Sequence, residues 1–112
     1  MSVDRRPLER RPTPPGRFIQ HDILDEHGLT QEQLAQRLRV SRLTVNELVK
    51  GKRALTASMA LRLGRLTGQS PNYWLALQRA VDLWDAQQDP DNRVVEEIEP
   101  LETDADGTPS CS

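Results

Sequence analysis

The sequence predicts an all-α fold, five helices followed by an acidic, largely flexible C-terminal tail. Three observations carry this. Residues 16–88 are cut at short intervals by helix caps and glycine stops. No segment reads as a strand. Aromatic residues make up only 4% of the chain, so Phe18, Tyr73, Trp74 and Trp84 are the only large rings, and a core must be built mostly from Leu, Val, Ile and Ala. A chain of 112 residues holds one domain at most. It divides into a flexible N-terminal arm (1–13), a helical domain (14–88) and the tail (89–112).

The first helix is expected over 16–27. Phe18, Ile19, Ile23 and Leu24 form its apolar face, and Gly28 supplies the left-handed stop. Thr30 and Gln33 have the spacing of a capping box, and Leu34, Ala35 and Leu38 follow as an inward stripe, which predicts a short second helix over 31–38. Ser41 is a further N-cap, so Val45, Leu48 and Val49 become the apolar face of a third helix over 42–50, ended at Gly51. Thr56 caps a fourth helix that runs through Ala60, Leu61, Leu63 and Leu66 to Gly68. Ser70 caps the fifth, with Pro71 at the first helical position, where its missing N–H costs nothing. Along that helix Trp74, Leu77, Val81 and Trp84 recur at i, i+3, i+7 and i+10.

Charge separates the same regions. The overall net charge is only -2, yet residues 1–88 hold 14 Arg and Lys against nine acids, and residues 89–112 hold Arg93 against eight. A basic body thus carries an acidic tail, and near-neutral totals are no argument against a nucleic-acid partner. Within the body, "RLRVSRLTVNELVKGKR" (37–53) packs six basic side chains around one acid.

The second and third helices explain that concentration. Two short helices joined by a tight turn form a helix-turn-helix when a small residue lets them cross closely and an apolar residue seals the contact; Ala35 and Val45 occupy those places. The second helix of such a pair offers its N-terminal end to a DNA major groove, where Arg pairs with guanine, Asn with adenine, and an apolar side chain with a thymine methyl. Arg42, Asn46 and Leu43 are the corresponding base-reading candidates. Gln31, Ser41, Thr44, Lys50, Lys52 and Arg53 surround them as phosphate contacts, which set register without reading sequence.

Three blocks extend the pattern: "PPGRFI" before the first helix, "VSRLTVNELVKGKRALT" across the third, and "SPNYWLALQ" opening the fifth. From about Pro14 to Leu83 the sequence resembles the phage-repressor-like (XRE) helix-turn-helix proteins and, among them, the HigA-type antitoxins of bacterial toxin-antitoxin modules. The resemblance implies a homodimer that binds a palindromic operator in its own promoter and neutralises a HigB-type mRNA-cleaving toxin. The family's base-reading positions fall on Arg42, Leu43 and Asn46. One position departs from the pattern, since the turn residue that is usually glycine is Arg39. A left-handed Arg39 costs on the order of 1 kcal/mol. A free-standing transcription regulator of the same fold, without a toxin, is the alternative that the DNA-reading residues leave open.

Other chemistry finds no support. Gly51-Lys52 lacks the spaced glycine of a phosphate loop, and there is no H-E-x-x-H, no G-x-S-x-G and no pair of cysteines. No enzymatic activity, metal or cofactor is therefore expected. His21 and His27, six apart, fall on different faces of a helix. No run reaches the roughly 18 apolar residues of a membrane span, and the N-terminus lacks an apolar signal stretch, so the expected location is cytoplasmic, without a membrane partner. The lone Cys111 fits a reducing compartment. The fifth helix carries more apolar surface than one side can bury, which places a dimer interface on Trp74, Leu77, Val81 and Trp84. For the toxin, the acidic face of Asp22, Asp25 and Glu26 is favoured over the tail because it loses little entropy on binding. In the tail, the last dozen residues are too charged to collapse. Val94, Val95, Ile98 and Leu101 either form a short strand or helical extension packed on the dimer or stay flexible.

Overall fold

A computed structural model describes residues 10–101. The expectations for residues 1–9 of the arm, for residues 102–112 of the tail and for Cys111 lie outside the described residues. In order, the chain forms α1 (Pro15–Phe18), a π-helical segment (Ile19–Asp25), α2 (Gln31–Leu38), α3 (Arg42–Val49), α4 (Ala57–Thr67), α5 (Pro71–Gln88) and a 3-10 segment (Pro90–Glu97). No strand occurs among the described residues.

The caps behave as their chemistry dictates. Thr30 Oγ1 accepts the Gln33 N–H at 3.1 Å and Gln33 Oε1 accepts the Thr30 N–H at 2.9 Å, which closes the capping box. Ser41, Thr56 and Ser70 each accept a backbone N–H in the first turn of α3, α4 and α5. Helix α3 ends in a Schellman closure, with the Lys52 N–H on the Glu47 carbonyl at 2.8 Å and Gly51 left-handed at φ 75°.

The first helix differs from the expectation. It is one rod from Pro15, but its middle is π-helical rather than α-helical. The physical reason is the spacing of its apolar residues. Phe18 and Ile23, like Ile19 and Leu24, are five apart, which in an α-helix would leave them about 140° apart around the axis. The i→i+5 bonding of a π-turn brings such pairs to one side. Ile19, Ile23 and Leu24 are buried there, with Phe18 packed beside them.

The core joins that face to Leu34 and Ala35 of α2, Val45 and Leu48 of α3, and Ala60 and Leu63 of α4. Helix α5 closes it. Trp74 and Val81 are each only 2% exposed within the single chain, Leu77 packs against the core, and Trp84 is half-buried. The stripe assigned to a dimer interface is therefore turned largely inward. A helical repeat reports which side of α5 is apolar, but not whether another part of the same chain or a second copy covers it, and here α4 and α1 pack on α5. The 3-10 segment starts where Asp89 Oδ1 accepts the Asp91 N–H at 3.0 Å. A helical extension thus exists at 90–97, yet Val94, Val95, Ile98 and Leu101 are 55–66% exposed among the described residues.

Candidate nucleic-acid interface

Helix α3 owes its position to two backbone contacts that leave no room for side chains. Gly16, at the start of α1, lies so close to the end of α3 that a Cβ there would overlap the Leu48 carbonyl oxygen and stand 2.7 Å from that of Val49. This gives the "PPG" block its physical reason. On the other side, Gln78 of α5 accepts the Leu55 N–H at 2.8 Å and holds the loop that follows α3.

The turn between α2 and α3 contains the only non-glycine residue with positive φ among the described residues, Arg39 at φ 61°. The Val40 N–H reaches back to the Ala35 carbonyl at 3.0 Å, so the turn closes as it would with glycine. Arg62 of α4 steadies it by donating from Nη1 to the Leu38 carbonyl at 2.6 Å and the Arg39 carbonyl at 3.4 Å. A cation at the carbonyl end of α2 is electrostatically favourable.

On the outward side of α3, Arg42 is exposed and Leu43 is 62% exposed. Asn46 is partly buried and donates from Nδ2 to Gln31 Oε1 of α2 at 3.0 Å. That bond fixes the amide plane and leaves Asn46 one N–H and its carbonyl oxygen, the donor and acceptor that an adenine edge requires. It also leaves the Gln31 NH2 free to donate. Ser41 and Thr44 share a hydroxyl–hydroxyl bond of 2.9 Å, so one of the two protons remains for an external acceptor. Lys50 and Lys52 are exposed. Arg53 is tied to Glu47, with Nε and Nη2 donating to Oε1 at 2.9 and 2.6 Å, so Nη1 is the part of its fork left outward.

Arg11 joins this edge from far away in sequence. Its Nε and Nη2 meet the two carboxylate oxygens of Asp85 at 2.8 Å each, 74 residues apart. Hydrogen bonding to Arg11 holds the Asp85 carboxyl below the usual carboxylate range, and the same bonds raise the Arg11 guanidinium above its ordinary value. Arg11 and Asp85 line one depression with Gly51, Lys52 and Arg53, so the chain leading into α1 runs beside the loop that follows α3.

The structure thus brings together all the base-reading candidates and all the phosphate candidates on α2, α3 and the following loop. Sequence reasoning missed Gly16, Gln78, Arg62, Glu47 and Asp85. Each acts through a partner distant in sequence or a side-chain rotamer, and local spacing carries no signal for either. Asp22, Asp25 and Glu26 are exposed on the first helix, as expected. Asp25 is partly engaged: its Oδ1 accepts Gln20 Nε2 at 2.7 Å, and its Oδ2 is 3.5 Å from His21 Nδ1. Among the described residues no helix is long and apolar enough to cross a membrane.

Residues 21–74 match a family model described as helix-turn-helix. The antitoxin HigA-1 of Vibrio cholerae is 38% identical over 99 residues, which cover 86% of this chain and 90% of that protein. The chain belongs to the HigA-type helix-turn-helix family. An uncharacterized HTH-type transcriptional regulator of Escherichia coli K12, YbaQ, is 37% identical over 97 residues, covering 87% of this chain and 84% of that one. The solved structure of Pseudomonas aeruginosa antitoxin HigA with the higBA promoter superposes with a TM-score of 0.76 at 37% identity, covering 82% of this chain and 100% of that one. HigA-type proteins are DNA-binding regulators and antitoxins rather than enzymes, and the all-helical fold with its central helix-turn-helix is theirs.

Proposed function

We propose that this HigA-type chain is an antitoxin that represses its own operon as a dimer and neutralises a HigB-type mRNA-cleaving toxin. The observation that carries the DNA half is the Asn46–Gln31 bond, which presets one reading side chain beside exposed Arg42 and Leu43. It is supported by the likeness to a HigA solved with promoter DNA. Helix α3 enters the major groove, Arg42 pairs with a guanine, Asn46 with an adenine, and Leu43 meets a thymine methyl. Gln31, Ser41, Thr44, Lys50, Lys52 and the free edge of Arg53 hold phosphates. Residues 14–88 are the DNA-binding domain in this reading. A palindrome with half-sites about 34 Å apart lets both copies of α3 enter one face of the duplex. Arg42→Ala costs about 1–3 kcal/mol and relaxes preference at one base position; Lys52→Ala weakens all sequences alike and lowers the salt slope by about one unit. Unchanged affinity and base preference in Arg42→Ala would remove α3 from the reading role.

For the toxin, Asp22 and Glu26 on the first helix offer an ordered acidic surface to a protein that must itself be basic to hold RNA. Co-expression with the adjacent gene product tests this with three chains: intact, ending at Gln88, and carrying Asp22→Lys with Glu26→Lys. Rescue by the shortened chain but not by the charge-reversed one assigns neutralisation to the first helix; the reverse result assigns it to the tail. The second reading, a free-standing regulator, is favoured by relatives such as YbaQ that are named as regulators. A short basic protein encoded directly upstream favours the antitoxin.

A further inference from the structure

The chain ahead of α1 is basic, and the stretch that joins it to α1 is stiff. Residues 1–11 hold Arg5, Arg6, Arg10 and Arg11 against Asp4 and Glu9, and three of the next four residues are Pro12, Pro14 and Pro15. Proline fixes φ and supplies no N–H, so such a run keeps an extended course. Pro14, at φ -72° and ψ 157°, has that conformation, and its carbonyl accepts the Arg17 N–H at 3.1 Å where α1 begins.

The root of this lead-in is fixed beside the loop that follows α3. Arg11 commits Nε and Nη2 to Asp85, which leaves Nη1 outside the pair. Both residues line one depression with Gly51, Lys52 and Arg53. The two side chains are 45% and 48% exposed, so water screens the pair and it adds little to folding. Its consequence is local. It neutralises a carboxylate that would repel DNA at the edge where Lys52 and Arg53 sit, and it holds the next residue out, exposed Arg10, at that same edge. Asp82, the other acid of the depression, accepts Gln78 Nε2 at 2.8 Å.

In B-DNA one phosphate strand separates the major groove from the minor. With α3 in the major groove and Lys52 and Arg53 on the bordering phosphates, the surface next in line is a minor groove about 6 Å wide. An extended chain advances about 3.1 Å per residue, so the residues ahead of Arg11 are long enough to follow it. Arginine suits that groove best where A·T pairs narrow it and concentrate its negative potential.

We propose that the segment ahead of α1 is a second DNA-reading element, in which Arg10, with Arg6 and Arg5 beyond it in the chain, enters the minor groove bordering the α3 half-site and selects A·T pairs there. The proposal rests on α3 lying in the major groove and adds a groove that α3 does not reach.

The test uses the full 112-residue chain. Operator duplexes carry either G·C or inosine·C at the pairs flanking each α3 footprint. These two pairs present the same major groove and differ only by the guanine N2 amino group in the minor groove, where inosine·C looks like A·T. The unaltered chain is expected to bind the inosine duplex about 10-fold more tightly. Arg5→Gln, Arg6→Gln and Arg10→Gln together bind both duplexes alike, lose about 10-fold on the inosine duplex and lower the salt slope by about two to three units. Helical circular dichroism stays unchanged, because all three positions precede α1. A triple variant with the affinity of the unaltered chain overturns the DNA role of the segment. An unaltered chain that binds both duplexes equally places the arginines on phosphates at most and overturns the minor-groove reading. A triple variant that keeps the inosine preference assigns that preference to duplex stiffness and overturns it as well. Indifference to Arg42→Ala with the inosine preference intact removes α3 alone, whereas absence of operator binding by the unaltered chain overturns both readings.

Discussion

Leu43 and Leu83 are equally exposed, 62% each, and their surroundings assign them to different kinds of partner. Leu43 is a single apolar side chain in a polar, basic frame, between Arg42 and Thr44 and one turn from an Asn46 already held by Gln31. It suits a wet groove that offers one methyl among many hydrogen-bonding groups. Leu83 sits beside two alanines and ahead of four more exposed apolar residues. That surface suits protein, because it has much area and few polar groups to satisfy. Exposure alone therefore does not identify a site. What decides is whether neighbouring polar groups are already paired and aimed, as around α3, or whether apolar area simply continues, as beyond α5.

The strongest way to break this contrast is to remove the frame of α3 while leaving the 83–101 stretch alone. Gly16→Ala places a Cβ against the Leu48 and Val49 carbonyl oxygens, which are backbone atoms and cannot swing aside. We expect a loss of about 3 kcal/mol, as for overpacking at the severe end, and a fall in Tm of about 10–20 °C. Thermal unfolding measures it. A change below about 1 kcal/mol would mean that α1 and α3 separate easily and that α3 is not held by this contact.

This contact also marks how far the sequence could be read. Helices α2 to α5 were legible to within about a residue, because Thr30, Ser41, Thr56 and Ser70 cap them and Gly51 and Gly68 end them through local chemistry. The common placement of Arg42, Leu43 and Asn46 on the outward side of α3, beside Gln31, Lys50 and Lys52, was legible as well, since it needs only one helix face and a loop. The π-helical turn was missed although its signal was present: apolar pairs five apart fit an i→i+5 turn and do not fit an α-helix. Trp74 and Val81 were placed on an interface instead of in the core because periodicity gives direction around α5 but not what lies there. Gly16, Gln78 and Asp85 were out of reach for a different reason. Each owes its role to a partner brought near only by the completed fold.

A smaller change sharpens the reading side of the comparison by improving it. Arg39 holds a left-handed conformation that glycine adopts freely, but Arg62 and the Val40–Ala35 bond secure the turn without the Arg39 side chain. Arg39→Gly relieves about 1 kcal/mol of backbone strain, partly offset by the greater freedom of glycine in the unfolded chain. Chemical denaturation should show a net gain of about 0.5 kcal/mol with the same m-value. A net loss would show that the Arg39 side chain contributes a contact of its own.

The smallest effect tests whether the two regions are mechanically joined. The Arg11–Asp85 pair ties the segment before α1 to the far half of α5, beside the loop after α3. Because Arg11 lowers the Asp85 pKa, the pair contributes most above the ordinary aspartate value, about 3.9. It is lost only as pH falls through the still lower folded value. Both groups are largely exposed, so water screens the pair and global stability should hardly respond. The local response is the informative one. The Arg11 Nε–H resonance, displaced by its bond to Asp85 at neutral pH, is expected to move to the free-guanidinium position as pH falls below the ordinary aspartate range, and Asp85→Asn to hold it there at every pH. If operator affinity stays level in Asp85→Asn at neutral pH, the α3 face works independently of the α5 end. If affinity falls although a negative charge near the DNA has been removed, the pair transmits order from α5 to the reading edge, because simple electrostatics predicts the opposite sign.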